Sequence, residues 1–401
     1  MPASRASSIL TRLITIRLVF LSLFTAVNLG LAALLIHLLR RRRPWPRALG
    51  VAVIVWAALM VGLLGVQAFS PTSWRPFLRD WLYFPLSVEM VWNLLFVQLL
   101  FLGVIVITLV LGRARKVDRT EPMTPQDISR RQFIYLAACS AVPATAVVMG
   151  VHGTATRDDL RIRDLAVPVA NLPPELEGFT IAHVSDLHSG IFCGPKRLKK
   201  IADATNDLKA DLIVITGDVI NSDISEFEDA QNVISGLESP YGIYLCEGNH
   251  DLFDGPGPYR DACVAAGFPL LRLSSAVVQA RGRRLILGGL PWYSRSFHGD
   301  DATVDGLFPE RQEGDVRLVL AHHPNLFNHA GSADLMLSGH THGGQIMVGD
   351  VGFGPLFFDY WSGLYRRGNS TLVVSNGAGD WFPCRIGAPA EIGRLRLTRA
   401  S

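Results

Sequence analysis

The fold of this chain is constrained most by a series of short apolar runs, each of which ends in a motif rich in Asp, His, Asn or Gly. Apolar runs of this length, bounded by turn residues, predict buried β-strands that open onto loops. Strands stacked in one sheet bring their polar ends to a common edge, where open α/β sheets place their sites. In chain order, the motifs are Asp186-Leu187-His188, Gly217-Asp218, Gly248-Asn249-His250-Asp251, His322-His323 and Gly339-His340-Thr341-His342.

The motifs share carboxylate and imidazole groups, which would repel one another or lack partners at a common edge unless a cation joined them. A metal centre therefore explains the pattern most simply. Each residue also has an ordinary interpretation, because a single Asp after a strand is often a helix cap and a lone His in a loop is usually a surface group. We interpret His183, His323 and His329 in that ordinary way.

Taken together and in this order, the motifs resemble the calcineurin-like metallophosphoesterase superfamily. The resemblance extends over about residues 181–397, and the closing segments 375–379 and 389–392 are similar to a membrane-tethered branch of that superfamily. Where that branch often has two prolines before Glu-Ile, Ala390 stands here. The resemblance implies an α/β fold of four layers, in the order helix, sheet, sheet, helix (an αββα sandwich).

The resemblance also implies a binuclear metal centre, in which two divalent metal ions are joined by a shared carboxylate. One ion would be held by Asp186, His188, Asp218 and His342, and the other by Asp218, Asn249, His322 and His340. His250 would act as the general acid, and Asp251 would orient its ring. Carboxylate, amide and imidazole ligands fit Mn, Fe or Zn better than they fit a metal that demands thiolates.

Long apolar stretches dominate the sequence before about residue 150. They run over residues 13–39, 48–69, 88–111 and 132–151, and each approaches the roughly 20 residues that a helix needs to span a bilayer. A buried core helix is the alternative for any one of them, but four in succession, separated by arginines, favour a membrane bundle. The sequence therefore predicts all-α transmembrane helices within residues 1–153 and a metallophosphoesterase domain at residues 154–401.

Arginine-rich loops predict the orientation of these helices. Arginines cluster at 40–47, between the first and second stretches, and at 113–131, between the third and fourth. Because positive loops stay cytoplasmic, the chain after the fourth stretch would emerge on the extracytoplasmic side of the cell (inner or plasma) membrane. Residues 129–134, Ser-Arg-Arg-Gln-Phe-Ile, also resemble a twin-arginine export signal, which would put the domain on the same side. The alternative is that these two arginines simply flank a helix.

The domain contains further predicted elements. We expect a first strand at Leu160–Val169, helices at Pro195–Leu208 and Ser225–Leu237, and parallel strands in the first half, where strands and helices alternate. Short strands with few helices between them are expected in the second half, at Val277–Arg281, Arg284–Leu290, Val316–Ala321, Leu335–Ser338, Gln345–Val348, Leu372–Ser375 and Glu391–Leu397. The 5 cysteines lack CxxC spacing, which favours buried thiols over a disulfide framework.

We expect this chain to be a membrane-anchored phosphoesterase that hydrolyses phosphodiester or pyrophosphate bonds with a metal-activated hydroxide. Its extracytoplasmic placement favours envelope or lipid-linked substrates. A phosphomonoesterase and a broad nuclease are alternatives within the same fold, and a membrane sensor or scaffold that binds ligand without turnover is the alternative from another class. The presence of both His250 and Asp251 favours the enzyme.

The formal net charge of +3 arises largely from arginines between the apolar stretches, so it indicates membrane topology rather than nucleic-acid binding. We therefore expect the bilayer and a phosphorylated small-molecule or lipid-linked substrate as partners, and no specific nucleic acid. Residues 353–361 are rich in aromatic side chains, including Phe357, Phe358 and Trp361. These side chains either pack in the core or form an interfacial patch that contacts lipid.

Overall fold

The computed structural model describes residues 152–153, 155–292, 300–348, 351–352, 354–381 and 384–400. The four predicted membrane stretches and the twin-arginine motif lie outside the described residues, so the transmembrane region stays a prediction. Within the described residues, none of the helices combines the length and the hydropathy that a bilayer span requires. Apart from His152, the described residues belong to one compact unit, Gly153–Ser401.

One mixed sheet carries the first three motifs at the ends of its strands. Its strands, numbered in chain order and given in spatial order, are β1 (Leu160–Val169), β13 (Ala390–Arg399), β2 (Thr180–Val184), β3 (Leu212–Thr216) and β4 (Ile243–Cys246). Strands β2, β3 and β4 are parallel, which confirms the prediction from alternating strands and helices. Strand β1 differs from that pattern, because β13 lies between β1 and β2. Strand β13 is parallel to β1 and antiparallel to β2.

A second mixed sheet carries the other two motifs. In spatial order its strands are β11 (Gly363–Arg367), β12 (Ser370–Val374), β8 (Leu335–Ser338), β7 (Val316–Leu320), β6 (Arg283–Gly289) and β5 (Ser274–Ala280). The four central strands are parallel, whereas β11 and β5 are antiparallel to their neighbours. Strand β11 was not predicted from the sequence, because this edge strand ends in two arginines and contains no apolar run. A two-stranded ribbon also pairs β9 (Met347–Val348) with β10 (Val351–Gly352).

Helices cover the outer face of the first sheet. They are α1 (Pro195–Asp207), α2 (Phe227–Ile234) and α3 (Pro258–Ala265), and they bury side chains such as Leu198, Ala230 and Cys263 against it. Helix α1 ends one residue before its predicted end. Helix α2 is shorter than predicted, because a 3-10 turn at Ile224–Glu226, capped by the Asp223 side chain, forms the first part of the segment.

The two sheets pack face to face around a hydrophobic core. Ile181 and Val214 from the first sheet meet Leu287 and Leu318 from the second. On the outer face of the second sheet, α4 (Asp301–Asp305) and a 3-10 helix at Pro324–His329 form a thinner layer around buried apolar side chains. The described residues thus confirm an α/β fold built on two mixed sheets, with helices on both outer faces.

The cysteines of the described domain are small buried side chains, as their scattered positions indicate. Cys193, Cys246, Cys263 and Cys384 are free and buried. Burial raises the pKa of the Cys193 thiol to about 12, so this thiol stays protonated and unreactive at neutral pH. Cys139 lies outside the described residues.

Candidate metal centre

The five sequence motifs meet at one edge of the sandwich, beyond the carboxyl ends of β2, β3 and β4 in one sheet and β7 and β8 in the other. Their side chains form overlapping groups, within each of which the potential ligand atoms lie within 4.8 Å of one another. The groups are Asp186, His188 and His342; His188, Asp218 and His250; and Asp218, His322 and His340. Every carboxylate and imidazole assigned to metal binding from the sequence therefore belongs to one of these groups.

Ring nitrogens and carboxylate oxygens point towards common positions in this cluster. His342 Nε2 lies 3.2 Å from Asp186 Oδ1 and 3.0 Å from His188 Nε2. His322 Nε2 lies 3.1 Å from Asp218 Oδ2, and His188 Nε2 lies 3.6 Å from the same oxygen. Asp218 therefore stands between the two ends of the cluster, where a ligand shared by neighbouring cations would lie.

Two further side chains direct a potential ligand atom towards the centre. The Nδ1–H of His322 donates to the Thr216 carbonyl oxygen at 2.6 Å, which directs Nε2 towards the centre. Asn249 Oδ1 is buried and has no hydrogen-bond partner among the described residues. A buried amide oxygen without a partner is costly unless something completes it. Together with the carboxylates, these atoms form a donor set that fits divalent metals of the Mn, Fe or Zn type.

The backbone is strained where the motifs leave the strands. At five residues of the centre φ lies between 45° and 71°, a region that residues other than Gly seldom adopt. These residues are Asp186, His188, Asp218, His340 and His342. Such strain costs about 1–3 kcal/mol per residue and persists where the surrounding structure enforces a functional geometry. Of the ten non-glycine residues with positive φ in the described part of the chain, five belong to the centre.

Two motif glycines permit the close packing of the carboxylates. A side chain at Gly248 would overlap Asp218, and a side chain at Gly339 would overlap Asp186. Glycine is therefore required at both positions by space alone. This packing explains why the Asn-His-Asp motif and the His-x-His motif each begin with Gly.

His250 faces the centre next to His188. The Nδ1–H of His250 donates to the Asn221 carbonyl oxygen at 2.6 Å, so Nε2 is available on the opposite side of the ring. The rings of His250 and His188 meet edge to face, with centroids 4.5 Å apart. His250 thus lies close enough to the cluster to act on a group bound there.

Asp251 has a different role from the one expected from the sequence. Its carboxylate accepts hydrogen bonds from the backbone amides of Val219, Ile220 and Gly248, at 2.8 to 3.1 Å. The carboxylate is buried and these amides occupy its oxygens, so it has no contact with the ring of His250 that could orient it. The expectation is corrected accordingly: Asn221 holds the ring, and Asp251 ties together the loops that carry the Gly-Asp and Asn-His motifs.

A buried arginine behind the centre is a site residue that sequence analysis missed. Arg385 is 1% exposed, and its Nη2 lies 3.2 Å from His342 Nδ1 and 2.6 Å from the Gly379 carbonyl oxygen. Its Nε pairs with Asp380, which also pairs with Arg197. Nothing in the sequence distinguishes Arg385 from a surface arginine, because its burial depends on the packing of the loop before β13.

The charges at the centre change the pKa of His322. Burial alone would lower the pKa of His322, but the carboxylates of Asp218 and Asp186 outweigh burial and raise the pKa to about 9 in the metal-free protein. Burial and the neighbouring His322 lower the pKa of His340 to about 3. The metal-free centre therefore holds a proton on His322 at neutral pH and none on His340.

Metal binding is expected to release a proton from His322. Because its pKa of about 9 lies above the ordinary value of 6.5, a cation that binds near pH 7 must displace this proton. We expect release of about one proton per cation at that site near pH 7, falling towards zero above pH 9. Apparent affinity should therefore weaken as the pH falls. Titration calorimetry in two buffers of different ionisation enthalpy measures the release, and heats that do not depend on the buffer would contradict it.

A pocket opens over the cluster. Its lining combines ligand and acid candidates with aromatic side chains, namely Asp218, His250, His340, His342, Phe357, Phe358 and Trp381. The Phe358 ring meets the His340 ring edge to face at 5.5 Å. Phe357 is 73% exposed, so core packing is wrong for this residue. Trp361 is half-buried and lies against Gly354, which lines the pocket.

The three histidines interpreted as ordinary residues have structural contacts. His183 Nε2 lies 2.8 Å from Thr216 Oγ1, inside the first sheet. His323 caps the following 3-10 helix by accepting a hydrogen bond from the Asn325 amide at 3.2 Å, and His329 ends that helix. His323 is also near the centre, with its ring centroid 5.1 Å from that of His340.

Comparison with known proteins agrees with this geometry. A family model described as calcineurin-like phosphoesterase matches residues 179–344, the segment that contains all five motifs. A transmembrane protein with a metallophosphoesterase domain from Danio rerio is 28% identical over 308 residues, which cover 72% of this chain and 69% of that protein. An uncharacterized metallophosphoesterase from Helicobacter pylori is 28% identical over 242 residues, which cover 59% of this chain and 64% of that protein.

Solved structures include a weaker match. The crystal structure of a 5'-nucleotidase precursor from Thermus thermophilus is 19% identical and has a TM-score of 0.36, with 51% of this chain and 49% of that chain covered. The chain also spans less than two thirds of the Helicobacter relative's length. The family model and the curated relatives support the assignment of this domain to the calcineurin-like metallophosphoesterase superfamily.

Proposed function

We propose that this protein is a binuclear-metal phosphoesterase that hydrolyses phosphodiester or pyrophosphate bonds, with envelope or lipid-linked molecules as its substrates. The observation that carries the proposal is the convergence of carboxylates and imidazoles around Asp218, within reach of His250. The match to a phosphoesterase family supports a metal-dependent phosphoester hydrolase. Asp218 belongs to more than one group of potential ligand atoms, and this sharing favours two cations over one.

Phosphoesters resist hydrolysis because their oxygens repel an incoming hydroxide. Divalent cations at such a centre supply Lewis acidity and lower the pKa of a bound water. Asp218 fixes the spacing of the two positions, and the contact from Arg385 holds the ring of His342 against Asp186. The convergent side chains thus provide a rigid frame, which matters because a small displacement of a reacting group is costly in rate.

His250 supplies the proton that the leaving group needs. As the water oxygen bonds to phosphorus, the bond from phosphorus to the leaving oxygen breaks, and His250 Nε2 donates its proton to that oxygen. The Asn221 carbonyl keeps the ring in this orientation through Nδ1. The attacking water releases one proton to solvent and the ring regains one from solvent, so the cycle consumes one water and leaves the enzyme unchanged.

The test uses the full chain in detergent micelles. Metal content is measured by mass spectrometry, and turnover is followed with bis(4-nitrophenyl) phosphate and 4-nitrophenyl phosphate before and after chelation. We expect diester turnover that chelation abolishes and Mn²⁺ or Zn²⁺ restores. Faster turnover of the monoester would show that the protein is a phosphomonoesterase rather than a phosphodiesterase. Tightly bound metal without turnover of either ester would favour the sensor or scaffold.

We also propose that the predicted helices before Gly153 anchor the domain on the extracytoplasmic side of the cell membrane. The support is the arginine distribution of the sequence, together with a relative whose name describes it as a transmembrane protein. A reporter that is active only outside the cytoplasm, fused after Ser401, is expected to be active. A reporter that works only on the inner side would overturn the orientation without affecting the chemistry of the site.

A further inference from the structure

The inner faces of β2 and β3 become polar as these strands approach the metal centre. Side chains alternate along a strand, so every second residue faces the space between the two sheets. Ile181 and Val214 fill that space as part of the hydrophobic core. Three fully buried polar residues continue the same faces towards the centre, namely His183, Ser185 and Thr216. Burial of polar side chains at the end of an apolar core is costly unless hydrogen bonds compensate for it, so their contacts indicate their role.

The three polar side chains are joined by hydrogen bonds. His183 Nε2 lies 2.8 Å from Thr216 Oγ1, and Thr216 Oγ1 lies 2.8 Å from Ser185 Oγ. Ser185 Oγ lies in turn 2.5 Å from Asp186 Oδ2. We call His183, Thr216 and Ser185 the polar row. It begins between the sheets and ends on a carboxylate that belongs to the candidate metal centre.

The direction of donation along the polar row follows from its last acceptor. An ionised carboxylate has no proton, so the Ser185 hydroxyl donates to Asp186 at 2.5 Å, in preference to the Thr216 carbonyl at 3.1 Å. Because a hydroxyl has one proton, Ser185 must accept from Thr216, and Thr216 must accept from His183 Nε2–H. Burial lowers the pKa of His183 to about 4, so the ring is neutral at pH 7 and this is its single N–H.

His183 is held in the sheet at a cost. Its Nδ1 is buried and has no hydrogen-bond partner among the described residues. A buried acceptor without a partner is unfavourable, and an apolar side chain at this position would avoid that cost. The contact with Thr216 is therefore the feature of His183 that packing does not explain.

The polar row distinguishes the two oxygens of Asp186. Oδ2 accepts from Ser185, whereas Oδ1 lies 3.2 Å from His342 Nε2, on the side of the cluster. The His340 amide lies 3.1 Å from both oxygens and so does not distinguish them. With Oδ2 held by the polar row, the carboxylate keeps Oδ1 directed at the cluster. Partners of this kind orient the ligands of a metal site.

Thr216 also supports the other end of the cluster, but through its main chain. Its carbonyl oxygen accepts the Nδ1–H of His322 at 2.6 Å. The side chain of Thr216 thus acts on Asp186, whereas its carbonyl acts on His322. A substitution of the side chain can therefore separate the two effects.

We propose that the polar row is a set of positioning residues that orients Asp186 and thereby sets the metal affinity of one end of the centre. That end is formed by Asp186, His188 and His342. The proposal rests on the metal binding of the proposed function but not on hydrolysis. It is therefore tested by metal affinity rather than by turnover.

Metal affinity is measured on the full chain in detergent micelles. Mn²⁺ is titrated into the metal-free protein, and free Mn²⁺ is followed by electron paramagnetic resonance. Thr216→Val removes the hydroxyl and keeps the carbonyl, so we expect one of two binding steps to weaken about 10- to 100-fold and the other to stay unchanged. Thr216→Ser keeps the hydroxyl and should retain both steps. Unchanged affinity in Thr216→Val would overturn the proposal, and so would an equal loss at both steps, which indicates a general structural effect.

Further variants separate the polar row from the loss of any buried hydroxyl. Thr205→Val is the matched control, because Thr205 is 1% exposed and its hydroxyl donates to the Ile201 carbonyl at 2.7 Å within α1. This control should change neither step. Ser185→Ala interrupts the polar row at its next residue and should weaken the same step as Thr216→Val, which Asp186→Asn identifies. Full affinity in Ser185→Ala would contradict the proposal even if Thr216→Val did not fold.

The tautomer of His183 gives a readout that is independent of metal. Solid-state NMR of the full chain with ¹⁵N-labelled histidine is expected to show a proton on Nε2 and none on Nδ1, with the signal assigned by its loss in His183→Gln. A proton on Nδ1 would overturn the direction of the polar row. Absence of Mn²⁺ binding by the unsubstituted protein would overturn both the metal centre and the positioning role. Two bound Mn²⁺ without hydrolysis would reject only the phosphoesterase, and the polar row would still be judged by affinity.

Discussion

An Asp218→Asn substitution is expected to lower phosphodiester turnover by about a thousandfold or more and to release metal from the centre. The Asp218 carboxylate lies 3.1 Å from His322 Nε2 and 3.6 Å from His188 Nε2, between the two ends of the cluster. Removing its charge weakens both positions at once. Lewis-acid stabilisation of the transition state amounts to several kcal/mol, which corresponds to at least about three orders of magnitude in rate.

The isosteric change keeps the structural contact of this residue. Asp218 Oδ1 accepts a hydrogen bond from the His250 amide at 2.8 Å, and an asparagine oxygen can still accept it. Asp203→Asn is the matched control, because Asp203 is an exposed carboxylate on α1 that pairs with Lys199. Metal content by mass spectrometry and turnover are measured on both variants. Full metal content with full activity in Asp218→Asn would refute the shared-ligand position.

A His250→Gln substitution is expected to lower turnover about 10²- to 10⁴-fold for an ester with an alkoxide leaving group. For an ester that releases 4-nitrophenolate, the expected loss is far smaller, because that leaving group departs without a proton. Metal content should not change. The physical reason for the loss of turnover is the position of the His250 ring. Its Nδ1–H donates to the Asn221 carbonyl, and the ring contacts His188 of the cluster.

His329→Gln is the control for this substitution, since His329 ends a 3-10 helix away from the pocket lining. Comparing kcat for the two leaving groups separates proton donation from other roles. An equal loss for both esters would show that His250 acts on the phosphate rather than on the leaving oxygen. A loss of metal together with activity would make His250 a ligand, as its place in one of the ligand groups permits.

Much of the site could be predicted because it depends on local sequence. Each ligand motif follows a strand whose apolar run is visible in the sequence, and parallel strands must deliver their ends to one edge. Asp186 and Asp218, at the ends of β2 and β3, are neighbours for this reason. The motif glycines follow from the same packing, since a side chain at Gly248 would overlap Asp218.

The features that escaped prediction depend on contacts between distant segments. Strand β13 enters the first sheet between β1 and β2 from the far end of the chain, and no local pattern specifies that position. The role of Asp251 follows from hydrogen bonds with the amides of Val219 and Ile220, in a distant segment, and of Gly248, in its own motif. Burial of Arg385 likewise appears only once the last loop is folded.

A hydrogen bond of 3.0 Å from the Arg385 amide to the Gly153 carbonyl connects the first residues of the domain to the candidate metal centre. Arg385 receives support from the first residues through its amide, at Gly153, and through its carbonyl, which accepts the Thr156 hydroxyl at 3.3 Å. Its guanidinium reaches His342 on the other side. A polypeptide cut back past Thr156 would therefore leave both main-chain groups of this arginine without these partners, so a fragment that retains both contacts must include Gly153.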